Sequence, residues 1–194
     1  GLLLREFLRL QDTPVGLRVE SVLTMRLSIA LRDYSAPGSY GRYLGELEAR
    51  LQGIPEVESV GFIQYLPLQN WGWSGGFSIT GRPQRAESHS ELRYVTPGYF
   101  QTMGIPLRKG RLLTDRDSSD SPRVILINEA LARAYFSNED PVGQSMDRGL
   151  IVGVVGDVRT SRLDRPATPE ICYAFAQNPA ATSDAGVSLV ARTR

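Results

Sequence analysis

Apolar and polar residues alternate with a period of two from Val22 to Ala30. Leu23, Met25, Leu27 and Ile29 fall on one side, Thr24, Arg26 and Ser28 on the other. Successive side chains of a strand point to opposite faces, so the segment predicts a half-buried β-strand. The period then changes. Tyr40, Tyr43, Leu44, Leu47 and Leu51 recur at the spacing of one helix face. Ser39 is placed as N-cap, Gly53 just past the end and Pro55 two residues beyond. From Val57 to Leu66 apolar residues occur at both parities, which predicts a strand covered on both faces. These three elements predict one βαβ-like unit.

The same reading extends along the chain. Pro67 to Gly76, PLQNWGWSGG, reads as a loop, followed by a short strand from Phe77 to Thr80 closed by Gly81. Glu87 to Val95 reads as a strand. Thr96 as N-cap and Pro97 as first helical residue open a short helix that Gly104 stops. Pro106 to Leu113 reads as a further strand, completing a second βαβ-like unit. The polar run TDRDSSDSP, Thr114 to Pro122, marks a subdomain boundary of solvated charges. Val124 to Ile127 is apolar throughout and predicts a buried strand. Asn128 caps a helix to about Phe136, with Glu129 in the first turn, where the helix dipole favours an anion. Asp140, Pro141 and Gly143 form a turn, and Arg148-Gly149 turns into a strand from Leu150 to Val158. Ile171 to Phe175 and Val187 to Arg192 are the last strands. At the other end, Leu3, Leu4, Phe7, Leu8 and Gln11 approach helical spacing and predict a helix over Gly1 to Gln11. Strands outnumber helices.

Composition narrows the classes. The 194 residues are 41% hydrophobic and 22% charged, enough to build a core and too apolar for disorder. Net charge is +1, which argues against a nucleic-acid-binding face. A single cysteine excludes an intrachain disulfide. No apolar run approaches the roughly 20 residues that span a bilayer. The chain starts at Gly1 with no initiator Met, and reads as a piece of something longer.

Candidate chemistry is sparse. The one histidine, His89, sits in SHS on a predicted strand, without a G-x-S-x-G elbow to make it the base of a triad. Cys172 is flanked by apolar residues, with Ala174 and Ala176 on its parity, and reads as a packed thiol. Asp115, Asp117, Ser119 and Asp120 follow the opening of a calcium loop, but the glycine at its sixth position and the glutamate at its twelfth are missing. Gly153 and Gly156 fit no nucleotide-binding glycine pattern. Catalytic, metal-binding and cofactor-binding residues are therefore assigned to none. Trp71 and Trp73, in a glycine-rich loop, are the one site candidate. Either they fold back over a sheet edge, or they form a contact surface for a partner or cargo.

The segments GLLLREFLRLQ, VLTMRLSI, RYVTPGYFQTMGIPLRKGRLLTDRD, VILINEALARAYFSNEDPVGQ and IVGVVGDVR, in this order, resemble the MacB-like periplasmic core domain. They are most similar to its version in large permeases with duplicated FtsX-like halves. The resemblance covers nearly the whole chain. It implies an α+β fold of two lobes, a porter-like lobe of ferredoxin-like βαβ units and a smaller inserted Sabre-like α/β lobe. The implied divisions are a membrane-proximal stalk helix at 1–16, the first part of the porter-like lobe at 17–116, the Sabre-like lobe at 117–158 and the last porter-like strands at 159–194. The implied function is that of an extracytoplasmic, non-catalytic domain of an ABC transporter permease at the periplasmic side of the bacterial inner membrane. It would couple cytoplasmic ATP hydrolysis, through flanking transmembrane helices, to export or mechanotransmission. No cofactor and no nucleic acid are implied. The implied partners are a cognate ABC ATPase subunit, a periplasmic adaptor or cargo, and a second copy in the full transporter. A GLLLR-type start marks the second repeat of the duplicated permeases. SMDRGL, between Gln144 and Ile151, is shorter than the family's usual hairpin. From the residues alone, a stand-alone secreted ligand-binding module of ferredoxin-like type and a secreted hydrolase remain open. Apolar segments on both flanks would decide for the membrane.

Overall fold

The protein is described by a computed structural model covering residues 16–29, 34, 36, 38–69, 72–83, 88–160, 163–178 and 186–194. The helix expected over Gly1 to Gln11, and with it the stalk at 1–16 apart from Gly16, lies outside the described residues.

Strand β1 (Val22–Leu27) leads to helix α1 (Ser39–Gln52) and strand β2 (Val57–Ile63). Ser39 is the first helical residue rather than its cap. Gly38, at φ 73°, turns the chain into the helix, and the Ser39 hydroxyl donates back to the Ala36 carbonyl at 2.7 Å. Strand β3 (Trp73–Gly76) then forms inside the segment expected to be a loop. The strand expected at Phe77 to Thr80 reduces to a single bridge between Ile79 and Met146. Two glycines in WSGG hide a strand from propensity, and pairing with β4 (His89–Val95) supplies what propensity does not. Helix α2 (Gly98–Met103) ends at Gly104, whose φ of 67° only glycine adopts cheaply. The remaining elements are β5 (Leu107–Gly110), β6 (Val124–Asn128), α3 (Glu129–Tyr135), β7 (Ser145–Met146), β8 (Gly149–Val155), β9 (Glu170–Ala174) and β10 (Val187–Thr193).

All ten strands join one mixed sheet, making this an α+β fold. Its order is β1-β10-β2-β4-β9-β6-β8-β5, with β3 beside β4 and β7 beside β8. Two topological expectations change. β10 lies antiparallel between β1 and β2, so the first βαβ-like unit is split by the latest strand of the sequence. β5 does not return beside β4; it pairs antiparallel with β8 at the far edge, and no second βαβ unit forms. In the middle β9 runs parallel to β4 and antiparallel to β6.

One face of the sheet is covered by α2. Tyr99, Phe100 and Met103 pack on Val190, Ile63, Val95, Leu126 and Val155, so one apolar cluster runs from β10 to β8. Gly61 permits this approach, since a Cβ there would stand 2.4 Å from the Tyr99 backbone. On the other face α1 buries Tyr40 and Leu44 against Val60, Phe62 and Val187. Helix α3 buries Leu131 against Ile125, Ile127 and Ile171. Tyr94 touches both of these clusters and stacks on Tyr173 at a centroid distance of 5.1 Å.

Two burial expectations are also corrected. The apolar side of β1 is open at its start: Leu23 is 64% and Met25 57% exposed, because only Leu27 and Ile29 reach the cluster under α1. Asp117, read as a solvated linker charge, is buried. Arg111 grips both its carboxylate oxygens at 2.8 Å, and the Thr114 N–H donates to it at 2.8 Å.

Candidate functional site

The chain enters and leaves the fold at one place. Val22 faces Arg192 across β1 and β10, and the Thr193 N–H donates to the Ser21 carbonyl at 2.9 Å. Arg192 occupies the buried parity of β10 and turns under the sheet toward α2. Its guanidinium donates to the carbonyls of Glu20 at 2.6 Å, Arg18 at 2.7 Å and Thr102 at 2.7 Å. The Arg18 N–H donates to the Met103 carbonyl at 2.8 Å. A cation suits the last carbonyls of a helix, where unsatisfied acceptors gather. One buried side chain therefore fastens the entering segment, the departing strand and the end of α2 together.

A second buried charge group sits where β4 meets β9. Glu91 lies opposite Glu170 and Arg93 opposite Cys172 in the parallel register. Arg93, 2% exposed, is ion-paired with Glu91, and its Nε lies 3.3 Å from Glu170 Oε2. Burial raises the Glu170 carboxyl above its ordinary value, although Arg93 pulls it down. The Cys172 thiol donates to Glu170 Oε1 at 3.6 Å, and burial pushes it well above the usual thiol range. A protonated, enclosed thiol is not a nucleophile. At the end of β6, Asn128 continues this stitching. It accepts the Leu131 N–H at 3.0 Å as the α3 cap, accepts the Glu170 N–H at 3.0 Å, and donates to the Thr168 carbonyl at 2.8 Å.

The other candidates scatter. Trp71 lies outside the described residues. Trp73 is half-buried, with its ring edge-on to Tyr94 at 6.0 Å. His89 is exposed at the start of β4. Gly153 and Gly156 are needed for close packing, since a Cβ would meet the Arg111 carbonyl at 2.3 Å and the Pro106 ring at 2.9 Å. No cluster of His, Cys, Asp or Glu among the described residues is arranged to hold a metal. A cavity of ≈ 350 Å³ opens between α1 and the Thr114–Ser118 turn, with Gly41, Gly45, Ala49 and Phe175 among its walls. Sequence reading missed Arg192, Arg93 and Glu170. The available signal was a charge at the buried parity of an apolar strand, as Arg192 is to Val190.

The family model of the MacB-like periplasmic core domain matches residues 19–172. The chain belongs to this family. It is similar to the macrolide export ATP-binding/permease protein MacB of Aggregatibacter actinomycetemcomitans, with 31% identity over 88 residues, 43% of this chain. That segment spans only 13% of the relative's length. The periplasmic region of MacB from Actinobacillus actinomycetemcomitans shares the fold over 95% of this chain and 79% of its own, with a TM-score of 0.56 at 18% identity. The extracellular domain of the noncanonic ABC-type transporter YknZ from Gram-positive bacteria does so over 89% and 82%, with a TM-score of 0.52 at 16% identity. No helix among the described residues is long and apolar enough to cross a membrane.

Proposed function

We propose that this MacB-like domain is the extracytoplasmic, non-catalytic part of an ABC transporter permease, passing movement from membrane helices driven by a cytoplasmic ATPase into a rearrangement outside the membrane. The observation that carries the reading is the Arg192 clamp. The segment entering the fold and the strand leaving it lie side by side, which suits attachment to two neighbouring membrane helices, and the clamp ties that point to α2, whose side chains lie on the continuous core. A shift at the ends is thereby delivered to the sheet. The two-lobe division is proposed on the same footing. On the divisions 17–116 with 159–194 and 117–158, β1, β10, β2, β4 and β9 fall to the first lobe and β6, β7 and β8 to the inserted one, with the β9–β6 pairing beside the Arg93 group as the joint; β5 belongs by sequence to the first lobe but pairs with β8 of the second. The cavity beside α1 is walled by Val95 and Ala174, at the far ends of β4 and β9 from the Glu91–Glu170 pair. Trp71 and Trp73 are proposed as a contact for an adaptor or cargo.

The test uses the full-length permease reconstituted with its ATPase. Spin labels at Arg50 on α1 and at Asp120, past the turn that lines the cavity, should change separation on addition of ATP, and Arg192→Met should abolish the change while ATP hydrolysis continues. A separation indifferent to ATP, in a permease that still hydrolyses it, would overturn the reading.

A further inference from the structure

An open cleft of ≈ 590 Å³ lies where the chain enters the fold, bounded by Gly16 to Arg18, the end of α2, β5, α3 and the loop that follows β8. Its charges are Arg18, Arg108, Arg133 and Arg159 against Glu129 and Asp157, four positive and two negative, a net of +2. The whole chain carries +1, so the rest of the molecule sums to −1 and the basic excess is gathered here.

Each arginine is held in place by its own surroundings. Gly16, at φ 86°, brings the entering segment against the Asp157 carbonyl, where a Cβ would stand at 2.1 Å. The stem of Arg18 then lies across Gly104, where a Cβ would stand 2.8 Å from its Cγ and Cδ. Arg108 Nε lies 3.2 Å from Glu129 Oε2, and Arg133 Nη2 donates to Asp157 Oδ2 at 2.6 Å. Each guanidinium has five N–H donors, so these contacts leave others free to turn into the cleft. Arg159 donates to the carbonyls of Leu163 at 2.6 Å and Arg165 at 3.1 Å, partners that do not cancel its charge. Asp157 Oδ1 accepts the Ala130 N–H at 2.7 Å, so the start of α3 is already satisfied and takes no part.

We infer that this cleft takes the phosphate group of an anionic membrane lipid. Guanidinium groups from four separate elements line one concave site, and their planar forks match phosphate oxygens. A carboxylate offers two oxygens, enough for one fork, whereas a phosphate can bridge several. The rim decides for a lipid over a soluble phosphate. Val19 follows Arg18 and Leu107 precedes Arg108, and they are 59% and 41% exposed. Apolar side chains beside cations suit the boundary of a bilayer, where apolar burial adds to the attraction of anionic headgroups. The inference rests on the permease reading, which brings the entering segment out of the membrane and so sets this cleft at its surface. The Arg18 carbonyl accepts from Arg192, so a bound headgroup would hold the clamp itself against the bilayer.

Co-sedimentation of the 194-residue chain with vesicles tests it. Binding is expected to vesicles of equal parts phosphatidylglycerol and phosphatidylcholine, not to phosphatidylcholine alone, and it should fall away as sodium chloride rises from about 0.1 M to about 0.5 M. Arg18→Glu and Arg108→Glu, on different elements, should each weaken it by at least about fivefold, the worth of roughly one basic residue at an anionic surface. Arg50→Glu makes the same change of charge at an exposed position of α1 outside the cleft and should bind as the wild type does. Circular dichroism and melting temperature show that each variant is folded. Inorganic phosphate and glycerol 3-phosphate, titrated by calorimetry, form the soluble arm and should bind more weakly than the vesicles. No binding to phosphatidylglycerol vesicles, no loss in folded Arg18→Glu and Arg108→Glu, an equal loss in Arg50→Glu, or soluble phosphate bound as tightly as vesicles overturns the inference. Neither ATP nor the ATPase enters this measurement, so its failure leaves the spin-label test standing, and a separation indifferent to ATP beside intact vesicle binding counts against the coupling alone.

Discussion

Arg192 holds a full positive charge at 3% exposure with carbonyl oxygens as its hydrogen-bond partners. Asp117 shows the complementary solution, a buried anion held by Arg111 and by a backbone N–H. Neither was legible in the sequence. Both look there like ordinary surface charges, and nothing local to TDRDSSDSP says which of its carboxylates turns inward. Burial alone would raise the Asp117 carboxyl, but the bonds from Arg111 and Thr114 outweigh it and hold it below its ordinary value. A carboxylate with a lowered folded-state value adds stability above its unfolded value of about 3.9, and that stability is lost as pH falls through the folded one. Asp117→Asn is therefore expected to destabilise at pH 7 by about 2 kcal/mol, a bond to a charged group being worth roughly 1.5–3 kcal/mol and Arg111 being half in solvent. The gap from the wild type should narrow as pH drops below about 4. Urea titrations at pH 7 and pH 3 measure both numbers.

Most elements could be read from period and punctuation. β6 and β8 are short apolar runs, α1 shows its stripe, and Asn128 caps α3 as its position ahead of Glu129 suggests. β3 could not be read, because its glycines carry no strand signal; its strand character comes from β4. β1 was legible as a strand but its buried side was not, since alternation marks two faces without saying whether anything lies over the apolar one. The α2–β2 contact gives a sharp test of how closely elements are fitted. Gly61→Ala places a methyl group 2.4 Å from the Tyr99 backbone, which must move. Such overpacking costs roughly 1–3 kcal/mol. Because backbone rather than a flexible side chain is displaced, a loss of about 3 kcal/mol is expected, read as a lower midpoint in urea. Gly45→Ala is the control. A Cβ at this position would meet no atom within 4 Å, and alanine is the better helix former, so a gain of up to about 1 kcal/mol is expected.

For the molecule as a whole, composition and period gave the mixed class and the excess of strands, but not which strand lies beside which. The sheet order depends on contacts between residues more than 120 positions apart, such as Ile63 with Ser188. No window of sequence contains that information. The candidate site follows the same rule. Arg192 and its carbonyl partners come from both ends of the chain and from α2, so it exists only once the sheet is closed. The family resemblance reached further than the residue pattern because it carried the order of whole segments.

The place of β10 bears on how the protein is made. During synthesis β1, α1 and β2 emerge well before β10, and the slot between β1 and β2 stays empty until residues 187–193 appear. Until then the nascent chain displays two unsatisfied strand edges, and loop closure across most of its length must precede completion. Folding should therefore be slow in its last step, the insertion of β10, and open until then to capture by holding chaperones. Removing residues 187–194 is expected to leave a chain that cannot reach the native sheet at all, rather than one merely weakened. Its circular dichroism and its resistance to protease, compared with those of the intact chain, would measure this; a truncated protein that still melts cooperatively would show that the first half closes by another route.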